Sequence, residues 1–258
     1  MAGFGKLFGK KSELTEFSFP GPKGPALPDR RVYVVGDIHG QKRLLDRLLD
    51  IIAQDRGSED AHLVFVGDMV DRGEQSRQVL ETLKALNDAG TAVCLMGNHE
   101  RMMLDFIDDP ATFGRRWLRN GGLQTLGSFG IGGCTDSSGA DQLTVAAKSL
   151  MSKLGPDMEN WLRSLPLTWQ NNNLWVVHAA AHPEVPMQEQ DEKVLLWGSS
   201  RFFQSGRPDE DWVVHGHTVV DHPTVQSGRV SVDTGAYFSG RLTAAVIVPD
   251  APVRFLQS

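Results

Sequence analysis

VYVVGDIHG (residues 32–40), HLVFVGDMVDRG (62–73) and TAVCLMGNHE (91–100) share one design. Each is a short apolar, mostly β-branched run that ends in a glycine and then turns polar. Such runs, bounded by turn residues, read as buried strands. Between the first two lies a stretch with Leu44, Leu45, Leu48, Leu49 and Ile52 on one helical face. After the second, Val79, Leu80, Leu83 and Leu86 repeat the pattern, and a further helix is expected after Gly97. Buried strands alternating with amphipathic helices predict β-α-β units in a layered α/β fold.

Past residue 166 the texture changes. LTWQ, NLWVVH, DWVVHGH, TVQS, RVSVD, LTAAVIV and VRFL follow one another with turn residues between them, and this predicts antiparallel pairing. In the less regular region 131–160, GGCTDSSGAD reads as an exposed loop followed by short helices. Upstream, SFPGPKGPALP (18–28) is too rich in proline and glycine for helix or central strand, and reads as an extended linker. Residues 1–29 are therefore expected to be tail and linker, and 30–258 one domain. The start, MAGFGKLFGKK, sets Lys6, Lys10 and Lys11 beside Phe4, Leu7 and Phe8. It lacks the apolar segment of a signal peptide, and Ala2 breaks the myristoylation pattern. It reads as a solvated terminus, with a membrane-surface or partner contact as the lesser alternative.

Composition narrows the classes. Hydrophobic residues make up 40% of the 258, enough for a sizeable core. The formal net charge is -6 with no long basic run, which argues against an obligate nucleic-acid partner. The two cysteines, Cys94 and Cys134, make no disulfide framework and fit a reducing, cytoplasmic compartment. No stretch approaches the roughly 20 apolar residues that span a bilayer.

The chemistry sits where the strands stop. The first delivers Asp37 and His39, the second Asp68, Asp71 and Arg72, the third Asn98 and His99. LWVVH and DWVVHGH end the same way, at His178 and at His215-Gly216-His217. Ligands of open α/β sheets bind at the carboxyl ends of the strands, so these side chains are expected to converge. Mixed oxygen and imidazole donors suit Mn, Fe or Zn better than Ca. Asp68 could bridge two cations about 3.5–4 Å apart. One Gly-Asp-x-His alone reads as a capped loop; the ordered set is the signal.

GDIHG (36–40), GDMVDRG (67–73), GNHE (97–100), VVHA (176–179), HGHT (215–218) and VDTGA (232–236) resemble the calcineurin-like metallophosphoesterases. Within them the likeness is to the bacterial and lambda-phage-type Ser/Thr phosphoprotein phosphatase branch, to which the stretch Trp117–Gly122 is also similar. The likeness runs over about residues 32–248. It implies a four-layer α/β sandwich of two mixed β-sheets flanked by helices. It implies two divalent metal ions, Mn first with Fe or Zn as alternatives. One would be held by Asp37, His39 and Asp68, the other by Asp68, Asn98, His178 and His217.

Hydroxide from a water between the cations would attack phosphorus in line. His99, oriented by Asp71, would protonate the leaving oxygen, and Arg72 and Asn98 would hold phosphate oxygens. A second arginine is expected two residues after Trp197. That position is Ser199, and Arg201 is the substitute. A second histidine is common in diesterases two residues after the one matching His217. Here Val219 stands in its place, which favours the protein-phosphatase branch.

The remaining candidates have plainer expectations. His215 is a packing or supporting residue. His62, His182 and His222 are surface or turn residues, and Arg101 lies on a solvated helix face. Glu100 supports its helix start and the neighbouring loops. The six tryptophans are core, and Asp233 hydrogen-bonds a ligand histidine. The expected function is dinuclear-metal-dependent hydrolysis of a phosphomonoester in a phosphoprotein or phosphopeptide. Its rivals are a symmetric dinucleoside-tetraphosphate hydrolase or other small-molecule phosphatase on the same site, and a non-catalytic binding module.

Overall fold

The computed structural model describes residues 21–258. The solvated terminus expected at residues 1–11, and its lesser alternative of a membrane-surface or partner contact, lie outside the described residues.

The first half alternates as its sequence predicts: β1 (Arg31–Val35), α1 (Lys42–Arg56), β2 (Ala61–Phe65), α2 (Ser76–Asp88), β3 (Val93–Cys94) and α3 (Asn98–Asp108). A helical block follows, made of α4 (Pro110–Trp117), a π-helical turn (Leu118–Gly122) and α5 (Leu123–Ser128). The run α6 (Ala140–Arg163) bends at Gly155, whose φ is 73°, just before Pro156. The second half holds β4 (Thr168–Asn171), β5 (Leu174–Val177), α7 (Glu192–Trp197), α8 (Ser200–Gln204) and β6 (Trp212–His215). It ends with β7 (Thr224–Gln226), β8 (Arg229–Ser231), α9 (Ala236–Ser239), β9 (Thr243–Ile247) and β10 (Arg254–Gln257).

The strands form two mixed sheets, ordered β10-β9-β1-β2-β3 and β4-β5-β6-β8-β7. Strand alternation explains their stacking. Val32, Val34, Val64 and Val66 point to the face shared with Leu174, Val176, Val214 and Val230 of the second sheet. Tyr33, Val35 and Phe65 point the other way, into a core completed by α1, α2, α3 and α6. On the far side, Trp175, Val177 and Val213 pack on Leu195 and Phe202 of α7 and α8. The result is four layers, helix, sheet, sheet and helix, as the motif resemblance implied.

The antiparallel reading of the second half needs correction. It holds for β4–β5, β7–β8 and β9–β10, but β5–β6 and β6–β8 are parallel. The β5-to-β6 connection runs through α7 and α8, and a crossover of that length returns the chain in the same direction. The last two strands join the first sheet instead, β9 antiparallel to β1 and β10 antiparallel to β9.

Residues 21–29 are extended, but they are pinned to the second sheet. Lys23 and Gly24 donate backbone N–H to Glu210, and Leu27 donates to Asn173. Ala26 is buried in the inter-sheet core. The packed unit therefore begins ahead of Arg30.

Candidate active site

The carboxyl ends of β1, β2, β5 and β6 and the first turn of α3 meet at one place, along the seam between the sheets. The meeting depends on backbone close approach. A Cβ on Gly216 would lie 2.0 Å from Asp37 Oδ1, so only glycine lets the His178 and His217 loops close over Asp37. The turns themselves are unusual. His39, Asp68, Asp71, Arg72 and His217 have φ of 48°, 51°, 73°, 67° and 62°. Left-handed backbone at non-glycine residues costs roughly 1–2 kcal/mol each and persists only where the surroundings enforce it.

Glu100 is part of that enforcement. It is fully buried, and its carboxylate accepts N–H from Gly97, Asp68, Met69 and Val70 at 2.8–3.1 Å. Four donors on one carboxylate hold the loop after β2 in shape. This is the support for helix start and neighbouring loop expected of Glu100 from the sequence.

The donor atoms suit cations. His39 Nδ1 lies 2.9 Å from Val70 O and His178 Nδ1 lies 3.0 Å from Val66 O. A carbonyl only accepts, so both rings carry their proton on Nδ1 and turn a bare Nε2 lone pair inward. Burial keeps both rings neutral, pushing His39 down to about 3 and His178 to about 4. Their Nε2 atoms face Asp68, at 3.6 Å from Oδ2 and 3.4 Å from Oδ1 respectively. Asn98 Oδ1 sits 2.9 Å from His178 Nε2 and 2.8 Å from His217 Nδ1. Lone pairs directed at a carboxylate and an amide oxygen need positive charge between them.

Two triplets of ligand atoms converge, His39–Asp68–His99 and Asp68–His178–His217, and Asp68 belongs to both. Burial alone would raise the Asp68 carboxyl, but the surrounding histidines, wherever they carry a proton, and the His99 backbone N–H at 3.0 Å favour its ionised form and bring its pKa down. Asp37 is buried here too, yet it falls outside both triplets, and its oxygens accept the His217 N–H at 3.1 Å. Burial, with Asp233 and Asp68 nearby, raises the Asp37 pKa well above its ordinary value.

Beside the cluster, His99 Nδ1–H donates to Asp71 Oδ2 at 2.7 Å. Burial opposes charging His99, but Asp68 and Asp71 outweigh it and raise its pKa. Arg72 Nη2 donates to His99 Nε2 at 3.1 Å, and its guanidinium lies 4.6 Å over the Tyr237 ring. Arg201 does not join. It is largely exposed and pairs with Glu184 at 3.5 Å. The helix α8 that carries it turns the side chain outward, so Arg72 is the arginine whose charge is felt by Asp37, His39, His99 and His217.

Several minor expectations are answered here. His215 is buried with both ring nitrogens engaged, by Gly216 O and the Ser231 hydroxyl, so no lone pair remains for a cation. Asp233 accepts the Gly235 N–H rather than supporting a ligand histidine. Residue reasoning missed Thr125, Tyr237 and the polar role of Trp117. Trp117 is core as expected, but its indole N–H also reaches Asp71 at 2.9 Å. The block Trp117–Gly122 was visible as a motif without a stated purpose.

The calcineurin-like phosphoesterase family profile matches residues 30–221. Among curated relatives, an asymmetrical bis(5'-nucleosyl)-tetraphosphatase, PrpE, from Oceanobacillus iheyensis is 26% identical over 83% of this chain and 87% of its own length. Serine/threonine-protein phosphatase 2 from Salmonella typhimurium is 29% identical over 83% of this chain and 91% of its own length. The crystal structure of a candidate diadenosine tetraphosphatase superposes with a TM-score of 0.59 at 26% identity. It covers 91% of this chain and 97% of that one.

Proposed function

The chain belongs to the calcineurin-like phosphoesterase family, and we propose that within it the protein is a Ser/Thr phosphoprotein phosphatase working with two divalent cations. Asp37, His39, Asp68, Asn98, His178 and His217 would hold the cations, with Mn as the first choice. Bound there, the metals would supply Lewis acidity for water activation and for phosphate charge.

The observation that carries the substrate reading is the His99–Asp71 pair. A serine or threonine oxygen leaves poorly as an alkoxide, and a proton donor on it contributes typically 10²–10⁴-fold. A nucleotide or polyphosphate leaving group is far less basic and needs that proton less. A buried carboxylate 2.7 Å from Nδ1 keeps the His99 ring oriented and favours its protonated form. As the ester P–O bond breaks, the Nε2 proton passes to the departing oxygen.

Arg72 now occupies Nε2, so it has to release that nitrogen before a proton can sit there. Phosphate oxygens are the stronger acceptor and match the guanidinium fork. Substrate binding would therefore draw Arg72 onto phosphate and free His99 in one movement. Asn98 would meet the same phosphate from the α3 side. Arg201 takes the second clamp position in this reading only if Glu184 releases it. A cytoplasmic setting fits the two free cysteines. Among the described residues no helix is long and apolar enough to cross a membrane.

A second reading, hydrolysis of dinucleoside polyphosphates, has its own observation. Tyr237 and Phe238 meet edge to face, with ring centroids 4.9 Å apart, beside Arg72, and Phe238 is 64% exposed, a surface on which a base could stack. Relatives under both names support their respective readings equally well in coverage. The deciding experiment compares kcat/KM of metal-loaded protein on phosphoserine and phosphothreonine peptides with that on diadenosine tetraphosphate. We expect at least tenfold preference for the peptides, in line with the donor's contribution. Tenfold preference for the tetraphosphate replaces the proposal with the second reading, and the products tell symmetric from asymmetric cleavage.

A further inference from the structure

No side chain of the Trp117–Gly122 motif is a candidate metal ligand or phosphate donor, yet Trp117 reaches Asp71 and Gly121 meets the backbone of Arg72. The Trp117 indole is fully buried, and its Nε1–H reaches both Asp71 oxygens, at 3.1 and 2.9 Å. Thr125, on the next turn of the same block, donates its hydroxyl to Asp71 Oδ1 at 2.7 Å. The Thr125 oxygen in turn accepts the Asp71 N–H at 2.9 Å. The Asp71 carboxylate is thus gripped by Trp117 and Thr125 on one side and by His99 on the other.

The grip has a rigid base. Trp117 packs on Phe106 of α3 with ring centroids 4.7 Å apart. A Cβ on Gly122 would lie 2.5 Å from the indole, so glycine is what lets the π-helical turn close over the ring. The Gly121 carbonyl accepts the Arg72 N–H at 3.3 Å.

We infer that Trp117 and Thr125 are positioning residues for proton donation: they fix the Asp71 carboxylate, and through it the aim of the His99 ring. The inference rests on the reading of His99 as the proton donor. A tryptophan N–H on a rigid ring and a threonine hydroxyl fixed by its own helix leave the carboxylate little freedom to rotate. Without them Asp71 could swing, and His99 would lose its line to the leaving oxygen. Proximity effects of this kind make small misplacements expensive in rate.

The test uses metal-saturated full-length protein and a series of substituted phenyl phosphates whose leaving groups grow steadily more basic. Misaligned proton donation hurts basic leaving groups most. For Trp117→Phe and Thr125→Val, log(kcat/KM) should fall more steeply with leaving-group basicity than in the wild type. The excess loss should reach about tenfold between the ends of the series. KM and metal content should change little by comparison. A second readout is independent of turnover. In metal-free protein the His99 Nδ1 proton, held against Asp71, should give a downfield NMR resonance that moves or broadens in both variants.

A uniform loss across the series with an unmoved resonance would make Trp117 and Thr125 mere packing residues and overturn the inference. His99→Asn separates this from the underlying reading. If His99→Asn does not steepen the slope, the proton-donor reading fails and takes the inference with it. If it does and the other two variants do not, the inference alone fails. Should Trp117→Phe not fold, Thr125→Val carries the same test.

Discussion

Among single residues, the chemistry-bearing side chains were the most legible part of this chain. Asp37, His39, Asp68, Asn98, His178 and His217 stand out because oxygen and imidazole donors follow a glycine at strand ends, and the fold brings them to one seam. What the sequence shows only in part is how that seam is held: it marks Glu100 as a support but not the backbone conformation that Glu100 supports. Left-handed backbone at Asp68, Asp71 and Arg72 leaves no mark in residue type, because the residues there were chosen for chemistry and not for φ. The stabiliser is Glu100, whose two oxygens share four backbone donors. Glu100→Gln keeps the shape but replaces one acceptor oxygen with an N–H₂ that faces other donors. Losing charged hydrogen bonds and burying unpaired groups costs about 3 kcal/mol. Denaturant unfolding of Glu100→Gln should show a lower midpoint at unchanged m-value, equivalent to that loss of stability, with metal binding weakened because Asp68 is no longer fixed. An unshifted midpoint would mean that the loop after β2 holds itself.

Elements were legible where periodicity is strong, as in β1, α1, β2 and α2. They were less legible where direction is a matter of topology. The sequence of the second half shows seven strands correctly, but nothing in VVH or VSV says whether a neighbour runs parallel, because side-chain alternation is the same in both cases. The helical block α4–α5 shows a different gap. Its sequence stood out only as the Trp117–Gly122 motif, and the π-helical turn there seats Gly121 and Gly122 against Arg72 and Trp117. At Gly121 φ is 108°, and a Cβ would fall 2.5 Å from the Arg72 backbone nitrogen. Gly121→Ala therefore has two faults, a disfavoured φ and a clash with backbone that cannot step aside. The predicted result is a displaced Arg72, seen as KM for phosphoester raised about tenfold or more. This is the order expected when a charged hydrogen bond worth about 1.5–3 kcal/mol is misaligned. Metal content should hold, since Arg72 is no ligand. Loss of metal along with KM would place the block under the whole cluster and not under Arg72 alone.

On the scale of the molecule, the proposed ligands come from both sheets. Asp37, Asp68 and Asn98 follow strands of the first, and His178 and His217 follow strands of the second. Bound cations would cross-link the two layers, so their binding energy would be folding energy. At a free metal concentration one hundred times Kd the gain is about 2.7 kcal/mol. For a chain of this length that corresponds to a rise in unfolding temperature of roughly 5–10 °C. The pH dependence of that rise has a definite sign. The metal takes ligands free of protons. Burial already keeps His39 and His178 neutral down to about 3 and about 4, so these rings release almost no proton on binding near neutrality. Asp37 is shifted the other way, by burial and by Asp233 and Asp68, and is the proposed ligand that takes up a proton first as pH falls in the metal-free protein. Its raised pKa stabilises the metal-free fold at low pH, and that contribution is lost as pH rises through the folded value. The metal removes the same proton, so the difference between metal-loaded and chelator-treated protein should widen with pH and shrink on acidification. Calorimetric scans with Mn and with chelator across pH 5 to 8 should show this widening, and Asp37→Asn should flatten it. A metal-induced rise equal at every pH would mean that Asp37 holds no proton for the metal to displace.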